Sequence, residues 1–204
     1  MRSKKELAVE LSKLEVFGQA DPKLEQYPTP SEIAAELLWG AAKDGDIAEH
    51  RILDLGAGTG ILGIGALLLG AKHVTFIEQD PAAVKILTHN LRKIQDKYKL
   101  PGRTTIIVRE VNLTDENADT IIMNPPFGTR TKHADTRFLD YASTHAPITY
   151  TFHKTSTIKH LEKYLKRLGK NIVMRSDFKF PLRATMPHHK KKQELIDVTL
   201  LLIK

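Results

Sequence analysis

The four residues Asn124-Pro125-Pro126-Phe127 follow the apolar run Thr120-Ile121-Ile122-Met123 and could do chemistry on a nitrogen atom. The run predicts a buried strand, so the turn should lie at the strand's carboxyl end. The Asn124 side-chain oxygen and the Pro125 carbonyl can accept the two N–H groups of an exocyclic amine. Phe127 can stack on the ring that carries the amine. These contacts localise the nitrogen lone pair, which favours attack of a planar, weakly nucleophilic nitrogen on an electrophilic carbon.

A second motif, Asp54-Leu55-Gly56-Ala57-Gly58-Thr59-Gly60, follows a predicted strand and opens a predicted helix at Ile61. Glycines there allow a tight turn and let backbone N–H groups approach a ligand closely. Gly58-Thr59-Gly60-Ile61-Leu62-Gly63 also matches the dinucleotide fingerprint G-x-G-x-x-G. The glycine loop by itself therefore fits either S-adenosyl-L-methionine or NAD.

Three carboxylates are candidate cofactor contacts, and one of them, Asp54, helps to choose between the cofactors. Glu78, at the end of the next strand, can accept hydrogen bonds from the ribose hydroxyls of either one. Asp54 suits a methionine ammonium and would repel a pyrophosphate, whereas Glu110 is placed to accept from an adenine amino group. Because the Asn-Pro-Pro-Phe turn has no evident use in hydride transfer, the combination favours methyl transfer from S-adenosyl-L-methionine to nitrogen.

Composition restricts the class of protein. The 204 residues include no cysteine, which excludes a thiol nucleophile, a disulfide framework and a thiolate metal site. The length predicts a single domain, and the polar first residues with no membrane-length apolar run predict a soluble, cytoplasmic protein. Residues 151–204 carry 13 Lys/Arg and 4 Asp/Glu, which concentrates the positive charge at one end and suggests a polyanion partner.

Alternating apolar runs and helical patterns predict an α/β fold with a Rossmann-like, seven-stranded, mostly parallel sheet. The last two strands should form an antiparallel hairpin through Pro181–Pro187. Two helices are predicted from about Pro81 to Lys97 and from Thr157 to Leu168. The predicted strands are Arg51–Leu55, His73–Glu78, Thr105–Val108, Thr120–Met123, Pro147–Phe152, Lys170–Phe178 and Leu195–Ile203.

Residues 1–50 precede the first strand and form a lead-in to a catalytic core at residues 51–204. A helix is predicted over Ser3–Val16, and a second from Pro30 to about Ala42. Thr29 and Glu32 have the spacing of a capping box before the second helix. A proline-stiffened segment of this kind could lie across the C-terminal edge of the sheet and cover a bound cofactor.

Basic residues near the predicted turn and in the carboxyl-terminal quarter are candidates for phosphate contacts. A solvated basic surface is the alternative for all of them. Nine histidines are present, but His153, His160 and the adjacent His188-His189 lack the convergent spacing of a zinc site, so no metal is predicted. The candidate RNA-binding residues are Arg130, Lys132, Arg137, Lys154, His189, Lys190, Lys191 and Lys192.

Read together, these motifs resemble class I adenine-N6 methyltransferases. The resemblance becomes more specific through Leu24-Glu25-Gln26-Tyr27-Pro28-Thr29, His153-Lys154-Thr155-Ser156-Thr157 and His189-Lys190-Lys191-Lys192. With these segments, nearly the whole chain resembles the methyltransferase-like protein 5 family and its archaeal relatives, which methylate N6 of an adenosine in small-subunit ribosomal RNA.

The resemblance implies roles for particular positions. Gln26 and Thr29 correspond to cofactor contacts in the lead-in, as do Gly56, Thr59 and Ile61 in the glycine loop. Further positions correspond to the ribose-binding acid (Glu78), the adenine site (Glu110 with Val111) and the catalytic turn (Asn124 to Phe127). A small zinc-binding activator subunit is also implied as a partner.

Three other functions fit parts of the sequence. A protein glutamine N5-methyltransferase acts on a nitrogen that is also planar and deactivated. An NAD-linked oxidoreductase would use the same glycine loop. A non-catalytic RNA-binding module could retain the fold alone.

Overall fold

The computed structural model describes residues 1–17, 28–100, 102–127, 134–183 and 193–204. Its helices and strands alternate, as the apolar pattern predicts. The helices are α1 (Lys4–Leu11), α2 (Ser31–Lys43), α3 (Ile61–Leu68), α4 (Pro81–Lys97), α5 (Ala134–His145) and α6 (Ile158–Arg167). The strands are β1 (Arg51–Leu55), β2 (His73–Glu78), β3 (Arg103–Val108), β4 (Thr120–Met123), β5 (Ile148–Lys154), β6 (Ile172–Arg183) and β7 (Gln193–Ile203).

The seven strands form one sheet in the order β3-β2-β1-β4-β5-β7-β6. The first five strands in this order run parallel, whereas β7 pairs antiparallel with both β5 and β6. The predicted fold class is thereby confirmed, including the antiparallel last pair. The segment that connects β6 to β7 lies outside the described residues.

Side chains that alternate along each strand divide the core between the two faces of the sheet. On β1, Ile52 packs with the apolar residues of α1, α2, α3 and α4, whereas Leu53 packs with those of α5 and α6. Both faces of the parallel strands are therefore covered, which is why β1 and β4 are almost continuously buried.

Several boundaries differ from prediction, and the largest differences are at the ends of α1 and β6. Helix α1 ends at Leu11 rather than at Val16, because the chain turns there and buries Leu14 after the turn. Strand β6 continues past Phe178 to Arg183 and includes Pro181. A proline is tolerated there because β6 is the terminal strand of the sheet.

The predicted capping box is wrong. Pro30 is the N-cap of α2, and no side chain caps that helix. Thr29 precedes the cap by one residue, and its hydroxyl lies instead against Asn124, 95 residues further along the chain.

Candidate active site

The parallel register brings the predicted functional segments to one edge of the sheet. Leu55 of β1 pairs with Ile77 of β2 on one side and with Met123 of β4 on the other. The residues that follow these three positions are the first of the glycine loop, Glu78 and Asn124. Since neighbouring strands lie about 4.8 Å apart, the ends of β2 and β4 are roughly 10 Å apart, with the glycine loop between them.

The glycine loop needs its glycines for backbone conformation. Gly56, Gly58 and Gly60 have φ angles of +67°, +55° and +88°, which L side chains adopt only with strain. The Gly56 N–H donates to the Ile77 carbonyl at 2.9 Å, and the Gly60 N–H donates to the Ala57 carbonyl at 2.8 Å. The loop is thus held against β2 before α3 begins.

Glu78 is buried at the base of this loop. One carboxylate oxygen accepts from the Gly58 N–H at 2.8 Å, and the other accepts from the Asp80 N–H at 2.9 Å. Burial raises the pKa of Glu78, while these backbone hydrogen bonds oppose the rise. A carboxylate has about four acceptor positions, so two bonds leave capacity for ribose hydroxyls.

Asp54 lies beneath the loop rather than on its surface. Its side chain is 1% exposed and accepts from the Gly63 N–H in the first turn of α3 at 2.8 Å. Burial, with a smaller contribution from the charge of Glu78, raises the pKa of Asp54 to about 7 against the opposing effect of the Gly63 hydrogen bond. The observed role of this carboxylate is to anchor α3, and its contact with a methionine ammonium stays a prediction.

The Asn-Pro-Pro-Phe turn leaves β4 beside the glycine loop. The Asn124 side-chain nitrogen donates to the Thr29 hydroxyl at 3.0 Å, and the side-chain oxygen of Asn124 is buried. Phe127 is 7% exposed, with its ring edge-to-face against Phe180 at 6.2 Å between centroids. Stacking of Phe127 on a base therefore requires the ring or the residues over it to move.

A buried asparagine connects the lead-in to the glycine loop. The Asn90 side chain accepts from the Glu15 N–H at 2.8 Å, and its amide donates to the Glu15 and Thr59 carbonyls at 2.9 and 3.0 Å. Two residues after Glu15, Phe17 reaches the loop, since a Cβ built on Gly58 would lie 3.9 Å from its ring. The lead-in therefore touches the glycine loop, and its role as a cover for a bound cofactor stays a prediction.

Sequence reasoning did not single out Asn90, Phe17 or Phe138 for this site. Phe138 of α5 lies against the first glycine of the loop, because a Cβ on Gly56 would lie 3.0 Å from its ring. Only Asn90 left a signal in the sequence, since it is a polar residue next to Leu91 on the apolar face of α4. The aromatic contacts join segments far apart in sequence and have no local pattern.

The remaining predicted cofactor residues occupy varied positions. Thr59, in the loop, and Ile61, at the start of α3, are both buried. Glu110 is exposed and precedes a short 3-10 helix at Val111–Leu113, in which Val111 is buried. Gln26 lies outside the described residues. The structure contains no ligand, so all of these contacts stay predictions.

The predicted RNA-binding residues are only partly described. Arg137 is exposed on α5, and Lys154 is half-buried at the end of β5, next to the carboxyl edge of β4. The Thr155 hydroxyl beside Lys154 contacts the Thr199 hydroxyl at 2.9 Å. The other six predicted contacts lie outside the described residues: Arg130, Lys132, His189, Lys190, Lys191 and Lys192.

Two searches of the described residues gave negative results. None of their helices is long and apolar enough to span a membrane. Across the same ranges, no group of three or more His, Asp or Glu side chains could hold a metal ion.

Comparison with known proteins identifies the class to which this fold and site belong. The model of the family Conserved hypothetical protein 95 matches residues 26–175. The rRNA N(6)-adenosine-methyltransferase METTL5 of Danio rerio is 32% identical over 200 residues, which cover 95% of this chain and 95% of that protein. A crystal structure of a candidate RNA methyltransferase from Pyrococcus horikoshii superposes on this chain with a TM-score of 0.90. The two sequences are 39% identical, and the match covers 100% of this chain and 98% of the other.

A more distant structure shows the fold alone. Magnesium protoporphyrin IX methyltransferase from Synechocystis, solved with its methyl donor bound, is 12% identical, covers 96% of this chain and 90% of the other, and has a TM-score of 0.67. Fold, glycine loop and Asn-Pro-Pro-Phe turn together define a class I S-adenosyl-L-methionine-dependent methyltransferase. The chain belongs to the Conserved hypothetical protein 95 family and, by its full-length similarity, to the family of the METTL5 enzymes. The NAD-linked alternative is therefore not supported.

Proposed function

We propose that this protein transfers a methyl group from S-adenosyl-L-methionine to N6 of an adenosine in structured RNA, with small-subunit ribosomal RNA as the substrate. The observation that carries the proposal is the position of Asn124. Its amide is anchored at the end of β4, directly beside the glycine loop that follows β1. The names of the relatives in Danio rerio and Pyrococcus horikoshii support RNA as the substrate class.

The order of the strands supports the proposed placement of the cofactor. Glu110 follows β3, Glu78 ends β2, the glycine loop follows β1, and Asn124 follows β4, and these four strands are neighbours in that order. S-Adenosyl-L-methionine has its adenine, ribose and methionine in the same order, and the reactive methyl group is on the sulfur that joins the ribose to the methionine chain. Glu110 and Val111 would then contact adenine, and Glu78 the ribose hydroxyls. Gln26, Thr29 and Asp54 would contact the methionine end.

The chemistry at the turn needs no strong base. The Asn124 oxygen and the Pro125 carbonyl would accept from the two N6–H groups and localise the lone pair on that nitrogen. The lone pair attacks the methyl carbon in line with the carbon–sulfur bond, so that a C–N bond forms as the C–S bond breaks. S-Adenosylhomocysteine leaves, and the methylated nitrogen then loses a proton to water. Because the Asn124 oxygen is buried, substrate binding must displace the groups that cover it.

We further propose that the chain acts as one methyltransferase domain in the cytoplasm, where its lead-in covers the cofactor and its basic residues contact RNA phosphates. Residues 151–204, with a net charge of +9, support a polyanion partner. An adenosine inside a helix would have to be flipped out to reach the turn.

We also propose a small zinc-binding activator subunit as a partner, as the resemblance implies. Strand β3 supports this assignment because it is the terminal strand of the sheet on the cofactor side. Its residues Ile106 and Ile107 are half-buried, and Val108 is 49% exposed. A terminal strand with apolar residues is suited to pairing with another chain.

The proposal is tested by incubating the protein with isotope-labelled methyl donor and either ribosomal subunits or total cell protein. Mass spectrometry of the digested RNA should show labelled N6-methyladenosine, whereas label on glutamine in protein would support the alternative acceptor. Asn124→Ala should remove the activity and leave the affinity for the methyl donor within about two-fold of wild type.

Asn171→Ala, at an exposed asparagine before β6, serves as the matched control and should behave as wild type. Full turnover by Asn124→Ala would refute the role of the catalytic turn. Absence of label from both acceptors, with the methyl donor bound, would refute the proposed reaction.

A further inference from the structure

The Thr29 hydroxyl lies in an unusual position for a residue that precedes a helix. Pro28 and Pro30 flank it, the side chain is only 6% exposed, and the hydroxyl is directed at the catalytic turn rather than at the start of α2. It accepts a hydrogen bond from the Asn124 side-chain nitrogen at 3.0 Å. The lead-in and the catalytic turn are therefore joined through the reactive side chain itself.

A carboxamide has an NH2 group, which donates hydrogen bonds (the donor arm), and an oxygen, which accepts them (the acceptor arm). The two groups point in different directions. An amine substrate carries only N–H groups toward the turn, so it needs the acceptor arm. If the amide rotated by half a turn, two donors would face each other and the amine would not be held. The terminal torsion of asparagine has a broad, roughly two-fold profile, so the backbone alone does not choose between these orientations.

We infer that Thr29 is a positioning residue that holds the Asn124 side chain at the torsion in which the amide nitrogen faces the lead-in and the oxygen faces the substrate amine. A hydroxyl can also donate, but in the observed arrangement its oxygen accepts from the amide nitrogen, so the hydrogen bond occupies one N–H of the donor arm. The lead-in segment thus has a second function besides covering the cofactor. This inference rests on the proposed methylation of an amino group.

The test compares two substitutions at position 29. Thr29→Val keeps the shape of the side chain and removes the hydroxyl, and it should lower kcat about ten-fold at saturating cofactor and RNA. Thr29→Ser keeps the hydroxyl and should retain kcat within about two-fold of wild type. Because Thr29 is also a proposed cofactor contact, Thr29→Val can raise the Kd for the methyl donor, measured by calorimetry, but saturating cofactor should not restore its kcat.

If Thr29 acted only in cofactor binding, the effects on kcat and on the Kd for the methyl donor would follow a different pattern. Thr29→Val would then raise the Kd for the methyl donor, and saturating cofactor would restore the full kcat, which would overturn the inference. If wild-type protein makes no N6-methyladenosine at all, the proposed function has failed rather than this inference alone.

A second measurement is made on the wild-type protein and does not depend on the substrate. In the nitrogen-15 spectrum of the wild-type protein, the Asn124 side-chain resonance is assigned by its loss in Asn124→Asp. Its two protons should exchange with solvent much more slowly than those of the exposed Asn171. Equal exchange rates for the two side chains would overturn the inference.

Discussion

Asn90 of α4 holds both backbone groups of Glu15, accepting from its N–H at 2.8 Å and donating to its carbonyl at 2.9 Å. The same side chain donates to the Thr59 carbonyl at 3.0 Å, so one amide fixes the lead-in against the glycine loop. Asn90 is 0% exposed; its hydrogen bonds to the Glu15 backbone are partly buried, and its bond to the Thr59 carbonyl is buried.

Removal of this amide should destabilise the fold and weaken cofactor binding. Asn90→Ala leaves one buried and two partly buried backbone groups without this partner and opens a cavity, so the free energy of unfolding should fall by about 2–4 kcal/mol. Urea denaturation measures the change, and calorimetry should show weaker binding of the methyl donor. Gln95→Ala, an exposed position on the same helix, should change stability by less than about 0.5 kcal/mol. Equal effects of the two substitutions would contradict the structural role of Asn90.

Asp54 should give the protein a stability that falls as pH rises. The folded state keeps the Asp54 proton up to its pKa of about 7, whereas the unfolded chain loses it near 3.8. The folded state thus binds more protons between these values, and the free energy of unfolding decreases as pH rises through this window. Three pH units correspond to about 4 kcal/mol as an upper bound.

This dependence is measured as a difference between wild type and Asp54→Asn, in which the side chain cannot titrate. The difference in unfolding free energy should change between about pH 4 and pH 7 and become constant above pH 7. Parallel stability curves for the two proteins would show that Asp54 titrates normally. Methyl donor binding to the wild type should also release protons below pH 7 if its ammonium contacts the Asp54 carboxylate.

Two glycines in helices should respond to alanine in opposite ways. A Cβ on Gly63 would lie 2.2 Å from a ring carbon of Phe76, which is fully buried, and 2.9 Å from the Asp54 carboxylate. Gly63→Ala should therefore destabilise the protein by roughly 1–3 kcal/mol. Gly40 of α2 has nothing within 4 Å of the added atom, so Gly40→Ala should stabilise it by about 0.5–1 kcal/mol. Thermal or urea unfolding of both variants measures the direction of each change in stability. A Gly63→Ala variant as stable as wild type would contradict the packing at this position.

The basic run at Lys190, Lys191 and Lys192 should contribute phosphate contacts. Replacement of all three by alanine should weaken RNA binding, and the slope of log affinity against log salt should decrease by about 2–3, at 0.7–0.9 per lost contact. The matched control replaces the exposed residues Lys85, Arg92 and Lys99, which lie on or just after α4. That control should leave the slope nearly unchanged. Equal losses of RNA affinity from both triple substitutions would indicate that RNA is attracted by the overall positive charge and not by contacts of this basic run.

The sequence alone identified most of the strands because their signals are local and strong. Strands β1, β2 and β4 begin and end at the predicted residues, since each is a short apolar run bounded by polar or glycine residues. Helix α4 also matches its prediction, because Asp80 caps it and Pro81 occupies its first turn. The length of α1 and the cap of α2 were wrong because contacts with distant residues fix those ends.

The sequence by itself determined the chemical groups of this protein and the strand ends on which they lie. Apolar periodicity, glycines at left-handed positions and the Asn-Pro-Pro-Phe turn are properties of short segments, and they predict a methyltransferase without any coordinates. Only the tertiary structure decided which of these groups meet. Thr29 contacts Asn124 across 95 residues, and Asn90 contacts Glu15 across 75. No local pattern encodes such pairs, because strand order and helix packing bring them together after the chain has folded.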